Sequence, residues 1–497
     1  MMDTATAQRL TVAEPSRRRT IVRAARVPVA LFVLGAGSAL LYFWARDLHR
    51  FTQWIAAYMY LFIAQLAFYA LACAVVLRWS KGSTRTANWV TFGLVIFFSL
   101  AFRAVLVPQR PFLSSDVYRY AWDGYVQASG INPYRYAPDD PELARLRDSG
   151  NFPNISEEDR RWLSPYPPVA QAIFWLVSLA RPLNVTALKA AMSSFDLIAA
   201  LLLMLVLARN GIDPARAILF AWHPLLIFES AHSGHVEAAL ITFLAIALLA
   251  WSTGRHALTG IALAAATLVK FYPLLLLPVF LVAKPNRVNT ASGSERLIED
   301  NTRSGARLVS RLFHKANLTL LAGFVATVVL AYAPYLSAGR NLFGFMRGYV
   351  EEEGFIESGA RYFLLDLVRK LVSVPTNVFL MAAAVCLIAL ALWVLMRTKR
   401  DAVDLARWSF LIIGAYLLLT TPRYPWYYAW IIPFLCLVPS SGMLYLTCAS
   451  SLLYLVWYTP FVYPGLPPWL GTAIFGPTFI LLAFAARTGS RRTRSHA

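Results

Sequence analysis

Stretches of close to twenty apolar residues recur along almost the whole of this 497-residue chain. About twenty such residues are what an α-helix needs to cross ~30 Å of hydrocarbon, where every backbone polar group must find its partner inside the protein. Hydrophobic residues make up 58% of the sequence and charged residues 14%. A soluble protein carries about a quarter charged residues. The fold class that follows is an all-α polytopic membrane protein, a single membrane domain over 1–497 rather than a string of soluble ones. Apolar runs lie near 27–45, 56–77, 88–107, 188–208, 215–229, 236–253, 257–269, 271–283, 317–336, 376–396, 404–421, 427–439, 442–460 and 468–486. They predict a bundle of about 12–14 transmembrane helices. Some are too short to cross alone, notably 257–269 and 271–283, which meet at Lys270-Phe271-Tyr272-Pro273. Broken helices are tolerated where they line a cavity rather than face lipid.

The net charge of +20 raises the question of nucleic acid, and the placement of the charges answers it. No basic stripe with interleaved aromatics lies on a soluble fold, so no nucleic-acid partner is expected. Basic residues sit in short segments between apolar runs. Arg17, Arg18, Arg19, Arg23 and Arg26 fill the arm 1–26, and Arg78, Lys81 and Arg85 the next such loop. Residues 284–315 hold seven Lys/Arg against three acids; Arg397, Lys399 and Arg400 follow a later run, and Arg487, Arg491, Arg492 and Arg494 end the chain. All five segments fall on one side, which the positive-inside rule makes cytoplasmic. The Ser-, Arg-, Asn- and Gly-rich segment 284–315 reads as a flexible cytoplasmic linker. The first apolar run has the length of a full span and no clear cleavage site, so it reads as a retained helix. Cys73, Cys386, Cys436 and Cys448 show no metal-like or redox spacing and read as packing residues. No internal repeat or low-complexity tract is apparent.

The same charge bookkeeping settles an ambiguous piece. Counting 169–180 as a span would turn every later loop over and put 284–315 outside. Residues 166–181 are therefore expected as a short helix on the outer surface, within an extracytoplasmic loop running from 108 to 187. Loops of this length tend to be functional. Segments 230–236, 337–375, 422–427 and 460–467 join it on the outer face.

Walker, dinucleotide-binding GxGxxG, GxSxG and HExxH signatures are absent, so chemistry must come from groups at the membrane surface. Asp116 follows the outer end of the third run, and Asp123, seven residues on, would share its face of a continuing helix. A carboxylate partly shielded from water has a raised pKa and can take a proton from a sugar hydroxyl. Alternatively, Ser114-Ser115-Asp116 caps the helix that follows. A second cluster, AWHPLLIFESAHSGHVEAA over 221–239, holds His223, Glu229, His232, His235 and Glu237. Ionisable residues at a span's edge point to function. Polar contacts to substrate hydroxyls or phosphate, helix capping, and a metal on Glu229, His232 and His235 are the readings. Ser233-Gly234 breaks the helix that would align a metal set, so no cofactor is expected. Lys270 and Arg423 stand on the outer face against the charge bias, beside aromatics and prolines. A phosphate partner fits them, as does an aromatic belt with snorkelling cations.

Taken in order, Ser115-Asp116-Val117-Tyr118-Arg119-Tyr120 with Trp122-Asp123-Gly124, Gly130-Ile131-Asn132-Pro133-Tyr134, Tyr166-Pro167-Pro168, Gly234-His235-Val236-Glu237, Lys270-Phe271-Tyr272-Pro273 and Tyr424-Pro425-Trp426-Tyr427 resemble the GT-C superfamily of polytopic glycosyltransferases. The likeness spans roughly 88–440 and is closest to bacterial polyprenol-phosphate-mannose-dependent mannosyltransferases, including glycosyltransferase family 87. It implies a multi-pass protein of a bacterial cytoplasmic membrane, with an extracytoplasmic active site, a polyprenyl-phosphate sugar donor and a lipid or glycan acceptor. It implies Asp116 as the catalytic base of an inverting transfer. Asp123, Arg119, Tyr120, Asn132, Tyr134, Tyr166, Glu229, His232, His235, Glu237, Lys270, Arg423, Tyr424 and Tyr427 would contact the substrates. One departure stands out: two more helices precede the large loop here than in the usual family arrangement. The rival reading is a transporter or flippase for a lipid-linked sugar, which should show repeated halves with matching interrupted helices. None is visible.

Overall fold

The structure, a computed structural model, describes residues 13–48, 54–79, 85–147, 152–281, 288–289, 295–296, 313–344, 362–397, 399, 401–458 and 467–494. The chain runs through α1 (Ala13–Ala45), α2 (Trp54–Trp79), α3 (Arg85–Leu106), α4 (Asp116–Ala128), α5 (Pro168–Ala180), α6 (Val185–Arg209), α7 (Glu237–Ser252) and α8 (His256–Thr267). After the basic segment come α9 (Lys315–Tyr332), α10 (Thr376–Leu395), α11 (Ala402–Thr420), α12 (Ser441–Ala449) and α13 (Pro468–Arg494). Among the described residues eight helices are long and apolar enough to cross a membrane: α1, α2, α3, α6, α9 with its continuation, α10, α11 and α13. Four shorter apolar helices accompany them, at Pro168–Ala180, Glu237–Ser252, His256–Thr267 and Ser441–Val456. The protein is an all-α, multi-pass membrane protein.

Four of the apolar runs are not continuous helices, among them 271–283, which was expected to be broken. Residues 214–233 fold as Pro214–Ala217, Ile218–Ala221, Pro224–Ile227 and a π-helical turn, Phe228–Ser233. The 271–283 run becomes Tyr272–Leu276 and Leu277–Phe280, and the 427–439 run Pro425–Ile431 and Ile432–Leu435. The 442–460 run continues α12 only as short turns, Ser450–Leu453 and Tyr454–Tyr458. Prolines are the physical reason in three of them: Pro214, Pro224, Pro273, Pro278, Pro425 and Pro433 each occupy a first turn, where a missing N–H costs nothing, and each stops what precedes it. The freed backbone groups are answered by side chains. The Tyr428 hydroxyl donates to the Pro422 carbonyl at 2.9 Å, and Trp222 Nε1, at the break itself, ties it to α3 through the Val95 carbonyl at 2.9 Å. Ser99 Oγ and Arg103 Nη1 both donate to the Ala221 carbonyl at 3.1 Å. Residues 217–241 and 424–437 are buried almost throughout, whereas α9 and α10 turn most of their surface outward. Irregular backbone lies inside and continuous helix outside, the arrangement a lipid environment requires.

The described residues of the 108–187 loop fold as a cap over this interior. Its helix α5 has 13 residues, about 20 Å of length, too short to cross. Ala170, Ile173 and Phe174 pack inward, while Trp175, Leu176 and Leu179 face out. The backbone N–H groups of Val169 and Ala170 donate to the Leu268 carbonyl at 3.0 and 3.2 Å, fastening α5 to the end of α8. α4 lies against α5 so closely that a Cβ on Gly124 would come within 2.4 Å of the Phe174 carbonyl oxygen. In the basic segment the described residues include a two-residue antiparallel pair, β1 (Val288–Asn289) with β2 (Glu295–Arg296). The rest of the expected linker up to residue 312, residues 1–12 of the basic arm and most of the segment 460–467 lie outside the described residues, as does the middle of 337–375, while Arg17, Arg18, Arg19, Arg23 and Arg26 fall within α1.

Candidate active site

The start of α4, the turn after the π-helical segment, the end of α8 and the Pro422–Trp430 stretch converge at one end of the bundle. Asp116 is the first residue of α4. Its N–H donates to Ser114 Oγ at 3.2 Å, and that hydroxyl returns a bond to Asp116 Oδ1 at 3.0 Å. The N-cap residue, Ser115, makes no cap bond with its side chain; Ser114 takes the first helical N–H instead, and the carboxylate is left at the positive end of the helix, pointing into the cluster. Tyr120, one turn on, brings its hydroxyl to 3.5 Å from Asp116 Oδ2.

His235 is delivered by the turn that ends the π-helical segment. Gly234 has φ +77°, and a Cβ there would meet both Val117 of α4 and Lys189 of α6 at 3.0 Å. Glycine is required for the conformation and for the space. The His235 N–H closes the turn on the Glu229 carbonyl at 2.8 Å. Its ring then sits among three carboxylates. Nδ1 lies 3.9 Å from Asp116 Oδ2 and 3.9 Å from Glu237 Oε2, and Nε2 lies 3.6 Å from Glu229 Oε2. Glu229 accepts from the Tyr454 hydroxyl at 2.8 Å, and Glu237 holds the Lys270 ammonium at 2.6 Å. Lys270 also stands 4.1 Å over the Tyr427 ring. An aromatic wall completes the site: Trp426 is 4.0 Å from the His235 ring and stacks on Tyr424 at 4.6 Å, with Arg423 above Tyr424 at 5.6 Å.

Exposure separates the members of this cluster. The Asp116 side chain keeps 27% of its surface and Lys270 19%, whereas Glu229, Glu237 and His235 keep 1–2%. Burial in the loop is the main force raising the Asp116 carboxyl to about 7; nearby Asp159 pushes the same way, and Lys270 and the Ser114 hydroxyl oppose it. Burial, with Lys270 adding to it, holds His235 well below the usual imidazole range, so its ring is neutral.

The remaining residues expected at the site have other surroundings. Asp123 lies two turns beyond Asp116 but not in its environment. It accepts from Arg119 Nε at 2.8 Å, Ser164 Oγ at 2.5 Å and Gln171 Nε2 at 3.0 Å. Arg119 continues to the carbonyls of Asp159 and Trp162. Both side chains are buried and bind the returning loop to α4. Asn132 Nδ2 donates to the Tyr335 carbonyl and Ser337 Oγ, each at 3.0 Å, and the Tyr134 hydroxyl to the Tyr166 carbonyl at 2.6 Å. The Tyr166 ring stays near the site, 4.8 Å from that of Tyr120. His232 packs against Phe112 at 4.2 Å.

Two features were not read from the sequence. Tyr454 supports Glu229 from the far end of the chain, and nothing local in a run read as a span marks it. Deeper, Arg103 of α3 and Asp196 of α6 form a fully buried pair, with Nε at 3.0 Å and Nη2 at 2.5 Å from Asp196 Oδ2. Ser230 of the π-helical turn donates to the same oxygen at 2.9 Å. Two opposite charges inside apolar runs were the available signal.

No curated protein and no solved structure matches the chain. The family model described as alpha-(1->6)-mannopyranosyltransferase, N-terminal domain, matches residues 24–285, more than half of the chain and every cluster residue from Asp116 to Lys270. The protein therefore belongs to the alpha-(1->6)-mannopyranosyltransferase family and is a membrane mannosyltransferase.

Proposed function

We propose that the protein moves mannose from a polyprenyl-phosphate donor to a hydroxyl of a lipid- or glycan-linked acceptor, with inversion, at the extracytoplasmic face of a bacterial cytoplasmic membrane. The observation that carries this reading is Asp116, the cluster carboxylate left open beside a cation and an aromatic wall. The acceptor O–H gives its proton to Asp116, the oxygen attacks C1, and the C1–O bond breaks with its electron pair leaving on the polyprenyl phosphate. A base whose pKa lies near neutrality suits that proton transfer. Lys270 and Arg423 offset charge growing on the leaving phosphate. Glu237 fixes the Lys270 ammonium, and neutral His235 spans the carboxylates without adding a charge. Tyr424, Trp426 and Tyr427 offer faces to the sugar and to the isoprenoid. The absence of any nucleotide-binding motif supports a lipid donor.

Purified protein in vesicles, supplied with radiolabelled polyprenyl-phosphate-mannose, is expected to place label in a new glycosidic bond. Label that crosses the vesicle membrane with no new bond would make the protein a transporter. Sidedness has its own test. With the four native cysteines replaced, a cysteine at Glu142 in the loop should react with an impermeant reagent in intact cells. One at Lys315 should react only after lysis. The reverse pattern would invert the orientation.

The two cations give a second expected result. Lys270 stands over Tyr427 and Arg423 over Tyr424, and those two rings are 5.7 Å apart. Charge-assisted hydrogen bonds contribute roughly 1.5–3 kcal/mol, so loss of either cation should lower kcat by about one to two decades. Arg423→Lys should also lower it, because an ammonium cannot reproduce a bidentate contact. The double variant should fall short of the product of the single effects. Rates that multiply independently would leave the cations as anchors of the membrane interface.

A further inference from the structure

We infer that Tyr454 and Glu229 are positioning residues for the proposed base, Asp116. Glu229, held uncharged beneath Tyr454, anchors the His235 ring with its Nδ1–H toward Asp116; this rests on the reading of the protein as a glycosyltransferase with that base. Glu229 is 2% exposed, and the Tyr454 hydroxyl reaches both its oxygens, at 2.8 and 3.1 Å. Tyr454 lies beyond the matched residues 24–285, so the C-terminal part of the chain completes this corner of the site. An aromatic collar surrounds the carboxyl. The Tyr58 ring stands edge-on to Tyr454 at 5.9 Å and to Phe228, the residue before Glu229, at 5.1 Å. The other polar neighbour of Glu229 is the His235 ring, with Nε2 at 3.6 Å from Oε2. Among the described residues no lysine or arginine pairs with it. A carboxyl buried without a cation keeps its proton.

A neutral imidazole carries one N–H and one acceptor nitrogen. His235 Nδ1 lies 3.9 Å from both Asp116 Oδ2 and Glu237 Oε2, and Glu237 is paired with Lys270. Neither ring nitrogen has a hydrogen-bond partner among the described residues, so the surrounding field sets the tautomer. Two carboxylates on one side favour the proton on Nδ1, and their pull is strong in a buried site. Nε2 then turns its lone pair to Glu229, whose carboxylic O–H is the matching donor. An ionised Glu229 would instead draw the ring proton to Nε2. The Trp426 ring, 4.0 Å away, covers the imidazole. With Nδ1–H toward it, the ionised form of Asp116 is favoured. Asp116 is otherwise faced by Asp159, Glu237, Tyr120, Lys270 and the Ser114 hydroxyl, and substitution of Glu229 or Tyr454 leaves all of these in place.

The test has two readouts on the purified full chain in lipid vesicles. Nitrogen NMR of protein carrying isotope-labelled histidine, with His235 assigned by its loss in His235→Phe, should show one tautomer, protonated at Nδ1. Glu229→Leu frees the ring and should give both tautomers. Glu229→Gln, whose amide donates to Nε2 and accepts from Tyr454, should keep the one. In transfer from polyprenyl-phosphate-mannose, Glu229→Leu should lower kcat by about tenfold, the worth of one buried hydrogen bond, with both KM values little changed. Its acid limb should move up from about 7 by about one pH unit, because the lost N–H had favoured the ionised base. Tyr454→Phe, which loses one oxygen and keeps its ring against Tyr58, should move rate and limb the same way, by less. Glu229→Gln should recover most of the rate. A loss in Glu229→Gln as large as in Glu229→Leu, or an Nε2–H tautomer in the unaltered protein, would overturn the assignment and leave the transferase reading intact. A single Nδ1–H tautomer that depends on Glu229, in a protein that forms no new glycosidic bond, would overturn the transferase reading and keep the anchored ring.

Discussion

Asp116→Asn is expected to cut kcat by about 10²–10⁴, the usual effect of removing a general base, while donor binding and expression stay near normal. That range corresponds to roughly 3–5 kcal/mol of barrier. The amide fills the same space beside Ser114 and Tyr120 and can still accept from the Ser114 hydroxyl, but it cannot take a proton. The pH profile makes the prediction specific. The carboxyl is raised to about 7, chiefly by burial, so it is ionised only above that pH. Activity of the unaltered protein should therefore fall as pH drops below about 7, by close to a decade per unit, instead of holding down to the ~3.9 of an ordinary aspartate. In the Asn variant this acid limb should vanish along with the rate. Near-normal turnover by Asp116→Asn, or an acid limb at ordinary carboxylate pH, would remove Asp116 from the role of base.

What could be read from the sequence follows from which interactions are local. The short helix within 166–181 was legible because counting it as a span would have split the clustered basic segments between two sides, and its 13 residues are indeed too few to cross. The break at Lys270-Phe271-Tyr272-Pro273 was legible because proline cannot continue a helix. Pro224 carries the same signal, yet the run around it is apolar enough to pass for a helix, and its breaks show only where Arg103 and Ser99 answer the freed Ala221 carbonyl. Asp116 and Asp123 matched a helical face by spacing. Their separate fates were set by Ser164 and Gln171, more than forty residues downstream, which turn Asp123 into a clamp on the loop. Glu229, His235 and Glu237 were read as one polar cluster and Lys270 as part of a separate cationic set. That Asp116 joins them depends on a single residue, since only a glycine at 234 lets the turn approach α4.

The largest loss of stability is expected from Asp196→Ala. Arg103 and Asp196 are 1% and 0% exposed, inside two helices long enough to span the membrane. Removing the carboxylate leaves a guanidinium with no counter-charge, and breaking a buried pair in this way costs about 3–5 kcal/mol. The pair does more than neutralise itself. Asp196 Oδ2 also takes the Ser230 hydroxyl, while Arg103 Nη1 holds the Ala221 carbonyl, so both ends of the broken helix are fixed to it. Ser230 adjoins Glu229, whose carboxylate faces His235. Replacing both charges with apolar residues of similar size, as in Arg103→Met with Asp196→Leu, removes the unpaired ion and should recover much of the thermal midpoint in detergent. It does not restore the bonds to Ser230 and Ala221. Activity of the double variant should therefore stay at least tenfold down in kcat, with acceptor KM little changed, although the protein folds. A double variant that regains full kcat would reduce the pair to a neutral piece of packing, and an Asp196→Ala protein as heat-stable as the original would show that water or another anion reaches Arg103.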